Sequence, residues 1–237
     1  MKKCDRIEGK YKIISMKGLL VMKNIIGILL SYGFILVIIL IAKLFEKVGK
    51  EASRKFIHIM LSNWWFLAMY FFDNPIWASM VPLSFVIINA ISYKKNIIQV
   101  MEREKDQKDG LGTVYYALSL FILAIYTFGI LKRPEIGLCA ILVMGYGDGL
   151  AGIIGKTVKS LPYQIGKTKK TIAGSSTMFF VSFCILAIFL CSIQADLWML
   201  KSILIAISVT ALEAISVKGT DNIIVPIYTA LILTTML

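Results

Sequence analysis

Asp148 sits between Gly147 and Gly149 at the end of an otherwise uncharged apolar run, and the chain from there to residue 170 brings Lys156, Lys159, Lys167, Lys169 and Lys170 without a single acid. A carboxylate where hydrocarbon ends is disfavoured; at the centre of a membrane helix the penalty is about 2.5–3.5 kcal/mol. Its presence calls for a partner, and the residue types nominate one on each side: a divalent cation on Asp148 and phosphate groups on the lysines. Gly147 and Gly149 would let a backbone or a nucleotide approach closely. Thr171, Gly174 and Ser175 open the next apolar run, where free backbone amides and the helix dipole favour a phosphate.

Three further groups carry chemistry. Arg54 and His58 are one helical turn apart with Lys55 beside them, so they share a face where a helix enters an apolar stretch. His58 is the sole histidine. The plain alternative is a pair of cations snorkelling at a helix end. Glu213 stands in the uncharged run ALEAISV, and such intramembrane acids are candidates for function. Asp221 and Asn222 follow in KGTDN, ordinary turn residues by themselves, able with Asp148 to complete a metal site or to orient a substrate hydroxyl. Two familiar motifs are excluded. GDGLAG formally matches G-x-G-x-x-G, but a membrane span precedes it in place of the strand of a dinucleotide fold. The Gly-Lys-Thr triplets at 155–157 and 166–168 lack the earlier glycine of a P-loop, because Leu150 and Leu161 stand there.

These residues need a scaffold, and the composition says which. Of 237 residues 58% are hydrophobic and 17% charged, with a mean hydropathy of +0.78, against about 45–50% and 25% in soluble domains. The expected fold is an all-α, multi-pass transmembrane helical bundle of about seven to eight spans: 24–42, 56–72, 76–93 with a kink at Pro82, 113–131, 135–154, 171–193, 197–217 and a short terminal 223–237. Residues 1–23 form a basic tail, and 24–237 a single domain. The connection 94–112 carries an amphipathic stretch expected to lie on the membrane surface, and 156–170 reads as a basic loop. Cys4, Cys139, Cys184 and Cys191 lack C-x-x-C spacing and read as small hydrophobes.

The net charge of +12 is concentrated in loops. Connections 43–55, 94–112 and 156–170 carry five Lys/Arg each, while those on the other face carry only Lys132, Arg133 and Lys201. The first set should be cytoplasmic. This topology puts the basic tail outside, a conflict that disappears if translation begins at Met16 or Met22, or if the tail stays inside and the first span is irregular. A nucleic-acid partner is not expected, since no groove-reading motif is present.

Taken in order, RK-x-x-H at 54–58, GDG-x-A-x-x-x-GK at 147–156, KKT-x-x-G-S at 169–175 and a glutamate followed by KG-x-DN-x-x-x-P at 218–226 resemble the polyprenol kinase family of dolichol kinases, phytol kinases and CTP-dependent diacylglycerol kinases. The resemblance implies a membrane enzyme that transfers the γ-phosphate of CTP, with Mg²⁺, to a lipid hydroxyl. It also implies that Arg54, Lys55, His58, Asp148, Gly149, Lys170, Gly174, Asp221 and Asn222 occupy motif positions. On this reading Asp148, with Asp221, holds the metal, the lysines of 167–170 with Arg54 and Lys55 neutralise the triphosphate, and Asp221 or His58 orients or deprotonates the hydroxyl. The site then faces the cytoplasm from the cell membrane. Many relatives carry an acid where this chain has Ala173, which leaves the lipid open. A CDP-lipid synthase would use the same nucleotide but lacks its late glycine- and histidine-rich segment here, and a transporter would spread its charges through both halves of the bilayer. The arrangement requires Asp148 within about 11 Å, two helical turns, of the basic loop or the Asp221–Asn222 pair.

Overall fold

The computed structural model describes residues 2–47, 49–95, 111–166, 168–217 and 219–237, with side chains from residue 17 onward. The chain is a helical bundle: α1 (Lys2–Phe45), α2 (Lys50–Ser62), α3 (Trp64–Phe71), α4 (Pro75–Lys95), α5 (Gly112–Ala124), α6 (Pro134–Leu142), α7 (Gly149–Thr157), α8 (Ile172–Ser192), α9 (Trp198–Ile215) and α10 (Asp221–Met236). Two stretches widen into π-helix, Ile125–Ile130 after α5 and Val143–Asp148 between α6 and α7. Among the described residues six segments are long and apolar enough to cross a membrane: Lys17–Phe45, Pro75–Lys95, Gly112–Ile130, Pro134–Thr157, Ile172–Ser192 and Trp198–Ile215. Their outer faces expose large apolar side chains such as Leu29, Ile76 and Ile188, as a lipid-facing surface requires. Cys139 is buried, whereas Cys184 and Cys191 lie on the exposed surface.

The span expected at 56–72 forms as two helices broken at Asn63. Asn63 spends its side-chain amide on the carbonyls of Ile59 and Met60, a local bond that competes with continued helix. Together α2 and α3 still traverse the bundle, because Lys55 meets Asp148 at one end and Trp65 Nε1 donates to the Pro134 carbonyl at the other, 2.9 Å away. The 16-residue α10 does the same: Asn222 bonds Gly112 at one end, and Lys201 donates to the Met236 carbonyl at the other. Asn74 accepts from the amides of Ile76 and Trp77 and starts α4, with Pro75 as its first residue and Pro82 within it.

Helix α1 is continuous from Lys2, so the first span is regular. Asn24 pairs with Asp73 at 3.1 Å, at the end of the bundle opposite Asp148, and the basic tail projects beyond that end. The surface segment expected within 94–112 falls largely outside the described residues. The basic loop is more ordered than expected: Pro162–Ile165 (β1) and Thr168–Thr171 (β2) pair antiparallel, with Ile165 opposite Thr168. Gly166, at φ +56°, makes the turn.

The core is built of side chains with almost no exposure, among them Trp64, Trp65, Ile141, Met144, Met178 and Leu186. Ser119, Thr127, Ser202 and Thr229, all buried, donate back to carbonyls three or four residues earlier. Their hydroxyls are thereby satisfied without water.

Candidate active site

A row of glycines assembles the site. Gly145, Gly149 and Gly152 lie at helical spacing across the π-turn and α7. A Cβ at Gly145 would sit 2.4 Å from Ser62 Cβ, one at Gly149 2.3 Å from Ile59 Cγ1, and one at Gly152 2.4 Å from Lys55 Cε. No larger residue lets α2 press so closely. The pressed helix delivers its polar face to Asp148: Lys55 Nζ lies 2.8 Å from Asp148 Oδ2 and 3.1 Å from the Asp148 carbonyl, and His58 Nε2 lies 3.3 Å from the same Oδ2. Tyr116 holds this face from α5, its hydroxyl donating to the His58 carbonyl at 3.1 Å and its ring edge-on to the imidazole. Widened helical turns such as the one carrying Asp148 concentrate at functional sites.

Three acids converge from three helices. Oxygens of Asp148, Glu213 and Asp221 all lie within 4.8 Å of one another. Lys55 compensates Asp148 and Lys170 pairs with Glu213. Asp221 has no ion pair among the described residues. Its Oδ1 accepts the backbone N–H of Asn222. Three clustered carboxylates are a hard-oxygen donor set, matched to Mg²⁺ or a similar divalent ion, so the residues present fit such an ion.

The acids open into a cavity of about 810 Å³ walled by Arg54, Lys55, Lys156, Lys169 and Lys170. Glu51 ties two of these together, binding Arg54 through both oxygens at 3.0 and 2.6 Å and Lys156 at 3.3 Å. Burial works against the Glu51 carboxylate, but the Arg54 guanidinium, aided by Lys156 and Lys55, prevails and holds its pKa down at about 2. Burial likewise opposes charge on Lys170, and Glu213 outweighs it, keeping the ammonium above the ordinary lysine range. The cavity therefore presents cationic side chains around a carboxylate floor, a charge arrangement that would suit a metal-bound polyphosphate.

Among curated proteins, a phytol kinase of Synechocystis sp. is 30% identical to the chain over 219 residues, covering 87% of this chain and 90% of that one. The chain belongs to the phytol and polyprenol kinase family. A probable chloroplastic phytol kinase of Triticum aestivum is 28% identical over 207 residues, covering 78% of this chain and 67% of its own length. Phytol kinase 1 of Arabidopsis thaliana is 30% identical over 150 residues, covering 58% of this chain and 47% of its own length. No family model and no solved structure matches the chain. The protein is thus a lipid kinase of this family, built on a membrane-type helical bundle.

The family's motif positions do not all end up where their chemistry suggests. Arg54, Lys55, Asp148, Lys170, Glu213 and Asp221 line one cavity, as do Lys156, Lys169, Thr171, Gly174 and Ser175. His58 and Asn222 stand just behind it. Gly147 and Gly149 are not open to a nucleotide: Gly149 is filled by Ile59, and a Cβ at Gly147 would meet Met178 Sδ at 2.7 Å. They serve helix packing. The amides at the start of α8 are also not free, since Ile172 N donates to Leu161 O, Ala173 N to Ser160 Oγ and Gly174 N to Thr171 Oγ1. Thr171 is a helix cap, and the Ser175 hydroxyl bonds that of Tyr163. The positive groups that face this cavity are side-chain cations instead. Lys167 lies outside the described residues, and Lys159 is exposed and does not line the cavity. Glu51, Tyr116, Gly145 and Gly152 were missing from the sequence-derived set of site residues. Glu51 was signalled only by its place one turn before Arg54, and the glycines only by their helical spacing.

Proposed function

We propose that the chain transfers the γ-phosphate of CTP to the hydroxyl of a long-chain lipid alcohol, with Mg²⁺, at the cytoplasmic face of the cell membrane. The observation that carries this reading is the convergence of three carboxylates inside a cavity ringed by Arg54, Lys55, Lys156, Lys169 and Lys170. Asp148, Glu213 and Asp221 would hold the ion, which when bound offsets charge on the phosphate oxygens. Arg54, Lys156 and Lys169 bind the triphosphate. Lys170, held by Glu213, neutralises charge building on the leaving β-phosphate, and Lys55 orients Asp148. The alcohol oxygen attacks the γ-phosphorus, the bond to the β-phosphate oxygen breaks, and CDP leaves. His58 Nε2 faces Asp148 Oδ2 and the Met144 carbonyl, so His58 positions Asp148, and Asp221, which has no ion pair among the described residues, takes the hydroxyl proton on a carboxylate oxygen that does not hold the ion. The cytoplasmic assignment is supported by the basic connections that meet at the cavity.

The test is turnover by purified protein in detergent with Mg²⁺ and CTP or ATP labelled at the γ-phosphate, against phytol and other lipid alcohols. Label in a lipid phosphate with release of CDP is expected. Release of pyrophosphate, or transfer from ATP alone, overturns the assignment of reaction or donor.

A further inference from the structure

The β1–β2 hairpin is amphipathic, and the bundle covers only part of its apolar face. Strand positions alternate between two faces. The register sets Tyr163 opposite Lys170 and Ile165 opposite Thr168 on one face, and Gln164 opposite Lys169 on the other. Leu161, just before β1, continues the first face. At its middle that face rests on protein: the Tyr163 and Ser175 hydroxyls share a hydrogen bond, Lys170 pairs with Glu213, and Thr168 Oγ1 donates to the Ala214 carbonyl at 3.2 Å. Its two ends overhang, with Leu161 72% exposed and Ile165 42%. Depth says what lies beneath them. Ile172 N donates to the Leu161 carbonyl at 3.1 Å, so Leu161 stands level with the first residue of the span Ile172–Ser192. Ile172 opens a stripe of exposed positions at four-residue spacing that runs through Phe180 to Ile188, the lipid-facing side of α8. Leu161 extends this stripe past the start of the helix.

We propose that the hairpin is an interfacial anchor. Leu161, Ile165 and Ile172 seat at the boundary between headgroups and acyl chains in the leaflet at the cavity end, and Lys159 pairs with the phosphate of an anionic phospholipid. Two observations choose this occupant. The apolar edge is continuous with the side of α8 that hydrocarbon covers, and the sequence from Gly149 to Ala195 carries no acid, so the charge beside the edge suits an anionic surface. Lys159, two residues before Leu161, is exposed and lies outside the wall of the polar cavity. The same hairpin supplies Thr168, Lys169 and Lys170 to that wall. Seating the overhang in the bilayer therefore holds one side of the cavity in place, and lipid composition becomes a control exerted from outside it. This role depends on the membrane bundle and not on the reaction the cavity performs.

The experiment reads lipid contact directly, with no nucleotide or acceptor present. Benzoylphenylalanine replaces Leu161, Ile165 or Gln164 in the full chain, the protein is placed in nanodiscs mixing phosphatidylcholine and phosphatidylglycerol in known ratio, and the adducts formed on irradiation are mapped by mass spectrometry. Phospholipid adducts at 161 and 165, with none above background at 164, are expected, because Gln164 lies on the opposite face of the strand. Phosphatidylglycerol should be enriched about fivefold over its share at 161, and Lys159→Gln should return it to that share. In the unaltered protein, amide exchange across 162–171 should slow on passing from phosphatidylcholine nanodiscs to mixed ones. Lipid adducts equal at all three positions, or absent from 161 and 165, overturn the anchor. Enrichment that survives Lys159→Gln removes the lysine from it, and amide exchange indifferent to lipid removes the control over the cavity wall.

Discussion

The two ends of the bundle both carry cation–carboxylate pairs, and the pairs differ in every respect that matters energetically. At one end Arg133 and Glu135 are two residues apart, 2.9 Å from each other, with side chains 39% and 34% exposed. At the other, Lys55 and Asp148 are 93 residues apart in the chain, 2.8 Å from each other and 6% and 10% exposed. An exposed local pair contributes about 0–1 kcal/mol. A buried pair broken on one side leaves an uncompensated charge, at about 3–5 kcal/mol. The first ornaments a turn, while the second can exist only because the fold brings α2 against α7. Charge at the cavity end is thus buried and held between distant helices, and charge at the far end is local and open to water.

The largest break in this contrast is expected from Asp148→Asn, which removes the carboxylate that Lys55 and His58 share and that would help hold the proposed ion. Turnover should fall by about 10³-fold, measured with labelled nucleotide, and an equal fall in Arg133→Ala would erase the distinction between the two ends. Next comes Gly149→Leu, which sets a side chain where Ile59 already lies at 2.3 Å from a bare Cβ. Overpacking costs about 1–3 kcal/mol; the expected outcome is a lower Tm together with a turnover loss of about 10- to 100-fold, as α2 withdraws Lys55 and His58.

Lys170 sharpens the comparison through pH. A cation whose folded pKa is raised contributes fully below its unfolded value, 10.5 for lysine, and loses that contribution as pH rises through the folded value. Between pH 7 and 9 Lys170 therefore stays charged, and Tm scans of Lys170→Gln and the parent should shift in parallel over that window. A divergence there would show that Lys170 titrates early and is no permanent cation. The smallest effect is reserved for Arg133→Ala, with turnover unchanged within about twofold and stability altered by less than about 1 kcal/mol.

Much of the site was legible because its residue types are out of place in hydrocarbon. Asp148 and Glu213 declare themselves by standing in apolar runs, and they line one cavity with Asp221, Arg54, Lys55, Lys156, Lys169 and Lys170. What went unread has a common cause. The glycines flanking Asp148 look like a nucleotide-binding loop, yet they are filled by Ile59 and Met178, because a missing side chain shows only that something comes close and not what. The amides of α8 look free to any reading that stops at the helix start, but Ser160 and Leu161, brought round by the β1–β2 hairpin, occupy two of them. The span broken at Asn63 was hidden because a hydropathy pattern sees the apolar run and not the competing side-chain bond.

Composition and the periodicity of apolar runs determined that this chain is a helical membrane bundle, since hydrocarbon leaves a backbone no alternative but to satisfy itself within helices. The loop charges and stray acids further determined which end would gather the charged side chains. Only the tertiary structure decided that Glu213 joins Asp148 and Asp221, that Lys55 rather than a loop lysine sits on Asp148, and that Asn222 keeps a buried oxygen unpaired. Those are relations between residues far apart in the chain, set by how closely helices pack, and glycine spacing becomes a distance only when the partner helix is in place.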